Sequence, residues 1–228
     1  MNLSWEMFGD AVCEVPHARG AVALTFDDGP DPVSTPLVLS LLKQADARAT
    51  FFVVGKKVEK HPQIVAQILA EGHSLGIHSY SHHRLYAFLP PSEVERDIER
   101  TRDEIARACG LRPLLFRPPV GQMSPRTAAG VKRAQVETVG WSVRARDGLA
   151  SAQVAPCLAR VVGGLRAGAI VLLHDAWESR PVTPGASNDA LSDCPAGVRA
   201  LREILKTCQE RGLQAVTVEE LLSQESAG

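Results

Sequence analysis

Short apolar runs alternate with longer segments of helical periodicity along the chain. The apolar runs predict β-strands at 21–26, 49–54, 73–77, 113–117, 136–141, 169–173 and 213–217. Apolar residues at helical spacing predict helices at about 35–46, 62–71, 92–109, 124–134, 151–166, 196–211 and 218–224. Strands that alternate with helices form parallel sheets covered by helices. The pattern therefore predicts an α/β fold with parallel strands and outer helices, and we interpret residues 1–228 as a single domain.

The longest predicted helix has a clear two-sided pattern. Ser92 and Glu95 have the spacing of an N-terminal capping box. Val94, Ile98 and Ile105 mark a buried face. We expect the opposite face to be solvated because it is charged. Its charged residues are Glu93, Asp97, Arg100, Asp103, Glu104 and Arg107.

The composition excludes several functional classes. Hydrophobic residues make up 45% of the chain and charged residues 22%, with a mean hydropathy of −0.04, which is typical of globular proteins. Lys and Arg number 25 against 26 Asp and Glu, so the net charge of −1 gives no electrostatic basis for nucleic-acid binding. No apolar run is long enough for a transmembrane helix. The oligomeric state stays open.

The cysteines and the N-terminus bear on the cellular compartment. Five cysteines are widely spaced and form no CxxC pair, so we expect reduced thiols. The first residues carry Glu6, Asp10 and Glu14 and lack the apolar core of a signal peptide. We therefore expect a cytoplasmic protein if this N-terminus is the native one.

Ionisable residues follow several predicted strands at the point where each strand ends. The carboxyl ends of parallel strands meet at one rim, where β/α proteins place their chemistry. We therefore expect these side chains to lie close together. They are Asp27, Asp28, His78, His82, Arg117, Asp147 and His174.

Two of these segments suggest a metal site. Adjacent carboxylates at the end of a buried strand repel each other, and a cation would offset that cost. The HxxxH spacing of His78 and His82 places two imidazoles on one side of a helical turn. With Asp28 as third ligand, an open position remains, as in catalytic zinc sites. We expect one divalent ion, zinc first, with cobalt, iron or nickel as alternatives.

Each motif alone also fits a structural role, as a turn or a surface histidine. The segment RPPVG is a rigid turn because prolines fix φ, so the amides of Val120 and Gly121 could be directed at one point. Arg117 stands at its entrance and fits a surface arginine equally well. The order of the motifs is more specific than any one of them.

TFDDGP, HSYSH, RPPVG and LLH, in this order, resemble the polysaccharide deacetylase family, also known as the NodB homology domain or carbohydrate esterase family 4. The resemblance covers about 21–217 and implies a distorted (β/α)7 barrel. It also implies a metal-dependent hydrolase that removes the acetyl group from an N-acetylated amino sugar.

The resemblance implies roles for the matching residues. Asp28, His78 and His82 resemble the metal ligands. Asp27 resembles the general base, oriented by Arg117, and His174 the general acid, held by Asp147. The Val120 amide resembles an oxyanion donor and Leu172 a wall of the acetyl pocket. The remaining expected substrate contacts are Pro119, Gly121, Trp141 and Trp177.

The chain departs from the family pattern WSVDxxDW, which here reads WSVRARDG over 141–148. Arg144 replaces an acid, Gly148 replaces a tryptophan, and Val120 stands where an aromatic residue is usual. These changes remove stacking surface for sugars and add cations that could meet an anion. The aperiodic segment 175–195 suggests a flap that touches substrate through Trp177.

Three functions are compatible with these features of the sequence. The leading one is deacetylation of an oligosaccharide, a polysaccharide or a lipid-linked sugar, with a carbohydrate or glycolipid as partner. The second is a related amidase that acts on a non-sugar amide. The third is a catalytically silent carbohydrate-binding module, which predicts erosion of the metal and acid positions.

Overall fold

A parallel β-sheet organises the part of the chain that the computed structural model describes, residues 11–177 and 190–224. Its strands are β1 (Ala11–Val12), β2 (Ala21–Asp27), β3 (Thr50–Val53), β4 (Ser74–Ile77), β5 (Leu115–Phe116), β6 (Glu137–Val139), β7 (Val143–Arg144), β8 (Ile170–His174) and β9 (Gln214–Val216). Their spatial order is β1-β6-β5-β4-β3-β2-β8-β7, with β9 also paired to β2. The strands form the expected distorted (β/α)7 barrel with helices outside.

Eight α-helices alternate with these strands in the described residues. They are α1 (Ser34–Gln44), α2 (Gly55–Lys60), α3 (Pro62–Ala70), α4 (Pro91–Cys109), α5 (Pro125–Ala134), α6 (Val154–Gly164), α7 (Ala196–Glu210) and α8 (Val218–Ser223). All seven predicted strands and all seven predicted helices are present. The sequence did not predict β1 and β7, because two residues are too few to show a period. It also did not predict the short helix α2.

Alternation along β2 separates the core from the site. Val22, Leu24 and Phe26 belong to the hydrophobic cluster that includes the apolar faces of the helices. Ala23 belongs to a second cluster on the opposite face of the sheet. Because successive side chains of a strand point to opposite faces, Asp27 shares the second face and lies where that strand ends. The strand pattern thus directs a carboxylate into the barrel.

The predicted buried face of helix α4 is confirmed, because Val94, Ile98 and Ile105 are fully buried. The predicted capping box is wrong, because the helix begins at Pro91 and no side chain caps its N-terminus. Proline at the first helical position needs no hydrogen-bond acceptor for a backbone N–H. The predicted solvated face is also wrong in part, since Glu104 is buried.

Two further expectations concern the environment of the chain. In the described residues the cysteines form no disulfide bond. Among residues 11–177 and 190–224, no helix combines the length and the apolar character needed to cross a membrane. Residues 1–10 lie outside the described residues, so the expectation of no signal peptide, and with it the cytoplasmic location, stays a prediction.

Candidate active site

A pocket of about 380 Å³ opens at the carboxyl ends of the strands. We call its buried ionisable part the floor and its exposed part the rim. The floor consists of Asp27, Asp28, His78, His82 and His174, and the rim of Val120, Arg144, Arg146 and Leu149. Gly121, Trp141, Gly148 and Leu172 complete the wall.

Three floor residues are arranged to hold a metal ion. One ligand atom from each of Asp28, His78 and His82 lies within 4.8 Å of the others. Oδ1 of Asp28 is 3.5 Å from Nε2 of His78 and 3.2 Å from Nε2 of His82. This buried oxygen has no hydrogen-bond donor among the described residues. A cation at the centre of the three atoms would satisfy it, so the donor set fits a divalent metal.

The HSYSH segment is an irregular turn, and the predicted helical turn is wrong. Ser79 and His82 have left-handed φ values of 65° and 52°, and the His82 N–H donates to Ser79 Oγ at 2.9 Å. The turn still brings the two rings together, with centroids 5.1 Å apart. Nδ1 of His78 donates to the Arg117 carbonyl at 2.8 Å, which directs Nε2 toward Asp28. Burial lowers the pKa of His78 and favours the neutral form that binds metals.

Helix α4 supports this turn through a residue that sequence reasoning assigned to solvent. Oδ1 of Asp97 accepts hydrogen bonds from the Tyr80 N–H at 3.0 Å and from the Tyr86 hydroxyl at 3.2 Å. Burial raises the pKa of Asp97 to about 6. Its position one turn after Val94, at the border of the buried face, is the only signal that the sequence offers.

Asp27 and Arg117 form a fully buried ion pair behind the metal ligands. Nη1 of Arg117 donates to Oδ1 of Asp27 at 2.8 Å and to the Thr25 hydroxyl at 2.7 Å. The other guanidinium nitrogens donate to backbone carbonyls of Val139 and Gly140. Burial alone would raise the pKa of Asp27, but the Arg117 charge holds it below its ordinary value. Asp27 is therefore an ionised carboxylate whose Oδ2 is available to accept a proton.

His174 lies opposite Asp27 in the register between β2 and β8. Its Nδ1 donates to Oδ1 of Asp147 at 2.8 Å, and its backbone N–H donates to Oδ2 of Asp147 at 3.0 Å. Burial alone would lower the pKa of His174, but Asp147 raises it to about 9. A Cβ on Gly197 in α7 would lie 2.0 Å from Asp147 Oδ2, so the helix can approach only without a side chain there.

The RPPVG turn is built differently from the prediction. The Gly121 N–H donates to the Pro118 carbonyl at 3.0 Å, so this amide is used within the turn. Pro119 is buried and does not line the pocket. Gly121 has a φ of 65°, and a Cβ there would lie 2.2 Å from the Trp141 ring. Val120 also has a left-handed φ, of 58°, which is rare for a β-branched residue.

Trp177 does not line the pocket, so its predicted position as a substrate contact is wrong. The side chain is buried and belongs to the large hydrophobic cluster. The rest of the predicted flap, residues 178–189, lies outside the described residues. The Trp177 carbonyl and the Asp28 carbonyl both accept hydrogen bonds from Lys57 Nζ, at 2.9 Å and 2.7 Å. Lys57 therefore fixes the backbone of a predicted metal ligand.

The rim contains the residues that depart from the family pattern. Arg144 on β7 pairs in register with Leu172 on β8, and both side chains line the pocket. A Cβ on Gly148 would lie 3.0 Å from the His174 ring, so the small residue leaves that ring accessible. Sequence reasoning missed Leu149, which is 69% exposed and follows Gly148 directly.

The site combines an ionised carboxylate, a protonated histidine and a metal-ligand set around one pocket. This combination defines a hydrolase that activates water against a carbonyl group. The family model described as polysaccharide deacetylase matches residues 14–139. The chain belongs to the polysaccharide deacetylase family and is a carbohydrate deacetylase that hydrolyses amide bonds.

Known proteins resemble most of the chain. The peptidoglycan-N-acetylglucosamine deacetylase of Bacillus cereus is 39% identical over 220 residues, which are 95% of this chain and 95% of that protein. The chitooligosaccharide deacetylase of Bradyrhizobium is 36% identical over 198 residues, covering 85% and 87%. The structure of peptidoglycan deacetylase PdaC from Bacillus subtilis matches with a TM-score of 0.78 at 30% identity, covering 92% and 93%.

Proposed function

We propose that the protein releases acetate from N-acetylglucosamine units of an oligosaccharide or polysaccharide and leaves a free amine. The convergence of Asp27, His174 and the three candidate metal ligands in one pocket carries this proposal. The names of the two similar enzymes, one for peptidoglycan and one for chitooligosaccharides, support N-acetylglucosamine as the sugar. A lipid-linked sugar is also a candidate substrate to be tested.

Asp28, His78 and His82 would hold the metal, and zinc is the expected ion because of its preference for histidine and carboxylate ligands. When bound, a divalent ion would polarise the acetamide carbonyl and acidify the attacking water. The hydrogen bond from His78 to the Arg117 carbonyl orients one ligand before the metal arrives.

Asp27 acts as the general base in this proposal. Its Oδ1 is occupied by Arg117, so Oδ2 takes the proton of the attacking water. Oδ2 lies 3.8 Å from His78 Nε2, which places it next to the metal ligands. The buried Arg117 charge keeps the carboxylate ionised until the proton arrives.

His174 acts as the general acid and lies on the strand next to that of Asp27. Asp147 binds Nδ1–H, so Nε2 carries the proton that is donated to the departing sugar nitrogen. Without this proton the amine is a poor leaving group and the amide re-forms. Leu172, on the same face of β8 and two residues before His174, would contact the acetyl methyl group. Trp141 offers the aromatic surface on which a sugar ring would stack.

The test is acetate release from a substrate panel. The panel contains N-acetylglucosamine oligomers, peptidoglycan fragments, an N-acetylated glycolipid and a non-sugar acetamide. We expect turnover of the sugars, its loss on chelation and its recovery when zinc is added. Turnover confined to the non-sugar acetamide would favour the amidase alternative. Metal-free protein with chelator-resistant activity would contradict the proposed metal role.

A further inference from the structure

We propose that Arg144 and Arg146 form an anion subsite on the rim that selects N-acetylated saccharides bearing a carboxylate or a phosphate. The inference rests on the proposed function, because it names the substrate class of the same pocket. It assigns to these two side chains the task of binding a charged group beside the reacting acetamide.

Strand geometry places both guanidinium groups on the pocket side. Val143 and Ala145 are buried in the hydrophobic cluster that includes the helices. Arg144, between them, points to the opposite face and lines the pocket. Arg146 lines the pocket as well.

The segment that carries the two arginines is held at both ends. The Ala145 N–H donates to the Leu172 carbonyl at 3.1 Å, next to the register pair of Arg144 and Leu172. Asp147 is fixed by its two hydrogen bonds to His174. Arg146 lies between these anchors with a left-handed φ of 60°, which a non-glycine residue adopts only when its surroundings impose it. The arginines therefore have a fixed backbone position relative to the general acid.

The two guanidinium groups have few interactions with the described part of the chain. Within residues 11–177 and 190–224, neither Arg144 nor Arg146 forms an ion pair, and the one contact of a guanidinium group is that of Arg144 with the Trp141 ring, at 5.8 Å. Some exposed arginines on other surfaces are paired, while others, Arg133 and Arg202 among them, also lack an ion pair within the described residues. Arg48 pairs with Glu220, Arg112 with Glu99 and Asp103, and Arg166 with Glu14.

The charges of the pocket also favour an anion. The Asp27 charge is balanced by Arg117, and that of protonated His174 by Asp147. Among the described residues that line the pocket, Asp28 is then the one carboxylate without a cation of its own, and a divalent ion held there would reverse even this local charge. A guanidinium group binds carboxylate or phosphate through two parallel hydrogen bonds. A neutral oligosaccharide gains nothing from this potential.

The test compares substrates that differ only in charge. One substrate pairs N-acetylglucosamine with N-acetylmuramic acid and has a free carboxylate. Its partner of equal length has that carboxylate converted to an amide. A second pair carries a phosphate monoester or a hydroxyl at the corresponding sugar. kcat and KM for acetate release are measured separately at low and high salt.

At low salt, we expect the charged member of at least one pair to have a kcat/KM at least tenfold higher than that of its uncharged partner. The difference should come from a lower KM. The pair that shows the preference identifies the source of the anion. In the double variant Arg144→Gln/Arg146→Gln, the ratio of kcat/KM for the charged substrate to kcat/KM for the uncharged substrate should fall toward one. The double lysine variant should have an intermediate ratio, since the charge remains but the paired hydrogen bonds of a guanidinium group are lost. Arg202→Gln, which removes an exposed arginine from α7, is the matched control and should keep the full ratio.

Equal kcat/KM for charged and uncharged members of both pairs would overturn the subsite. So would a glutamine variant that keeps the ratio, or lysine variants that lose it as fully as the glutamine variants, because packing on Trp141 would then explain the effect. A wild-type protein that deacetylates none of the saccharides, charged or neutral, would instead contradict the proposed function itself.

Discussion

The floor and the rim of the pocket differ in solvent exposure and in the need of their charges for a partner. On the floor, Asp27 is 3% exposed and paired with Arg117, and His174 is paired with Asp147. On the rim, Val120 is 49% exposed and Leu149 is 69% exposed. A buried charge requires a partner because dehydration is costly, whereas an exposed one does not. The floor is thus fixed for one reaction, and the rim is available to distinguish one saccharide from another.

This comparison has a measurable consequence. Substitutions on the floor should lower kcat for every substrate, and those that break an ion pair should also lower stability. Substitutions on the rim should change KM for some substrates and leave the chemical step alone. The following changes test the division, in order of decreasing expected effect.

Asp27→Asn removes the proposed general base and keeps the shape of the side chain. We expect kcat to fall by roughly 10³-fold with each substrate, in the middle of the range for general-base catalysis. Acetate release and the content of bound metal are measured together, and the metal should stay because Asp28, His78 and His82 are intact. Asp103→Asn, on the exposed side of α4, is the control. A kcat within tenfold of the wild-type value would show that Asp27 is not the general base.

Arg117→Met leaves Asp27 as a buried carboxylate without its partner. Breaking such a pair lowers the free energy of unfolding by about 3–5 kcal/mol. Denaturant titration measures the loss. The double variant with Asp27→Asn should recover part of it, because the unpaired charge is then gone. Equal losses in the single and the double variant would contradict the ion-pair explanation.

Asp147→Asn tests the pairing of the general acid. His174 must be protonated to act, and Asp147 raises its pKa to about 9, so activity should be retained below that pH and lost as pH rises through it. Without the negative charge, the pKa falls toward the ordinary histidine value of 6.5, so the alkaline limb of kcat moves to lower pH. We also expect roughly a 10–100-fold lower kcat, the loss typical of removing a partner that orients a metal-ligating histidine. If the alkaline limb does not move, it reflects the titration of a group other than His174.

Gly121→Ala tests the boundary between floor and rim. The left-handed φ costs an alanine about 1–2 kcal/mol, and its Cβ would displace the Trp141 ring. We expect a small loss of unfolding free energy and a several-fold higher KM at unchanged kcat. Gly163→Ala is the matched control, since its Cβ would meet nothing within 4 Å inside α6 and should be slightly stabilising. A lower kcat in Gly121→Ala would show that this wall also serves the chemical step.

The sequence predicted the floor because each of its residues follows a strand with a strong apolar pattern. Asp27 and His174 come at the ends of β2 and β8, and the rule that parallel strands end at one rim brings them together. The same rule placed Arg117 and the His78 segment. The parallel sheet with outer helices followed from the same seven strands, and the resemblance to the deacetylase family implied the barrel.

Other features depended on contacts that a linear pattern does not contain. Trp177 follows Asp175 and Ala176 in an aperiodic segment, yet it packs into the core. Asp97 reads as part of a charged face, yet it binds Tyr80 and Tyr86. The Gly121 amide closes its own turn, which only the backbone path reveals. Each case is set by tertiary packing, and the local sequence is compatible with either outcome.

Gly197 shows how far the pairing of His174, the proposed general acid, constrains the fold. It lies in the first turn of α7, 50 positions beyond Asp147 in the chain, and has no place in the pocket. Because any Cβ there would meet the Asp147 carboxylate, a scan of all substitutions should find this position as intolerant as the reacting residues. A helix outside the barrel therefore carries part of the mutational constraint on catalysis.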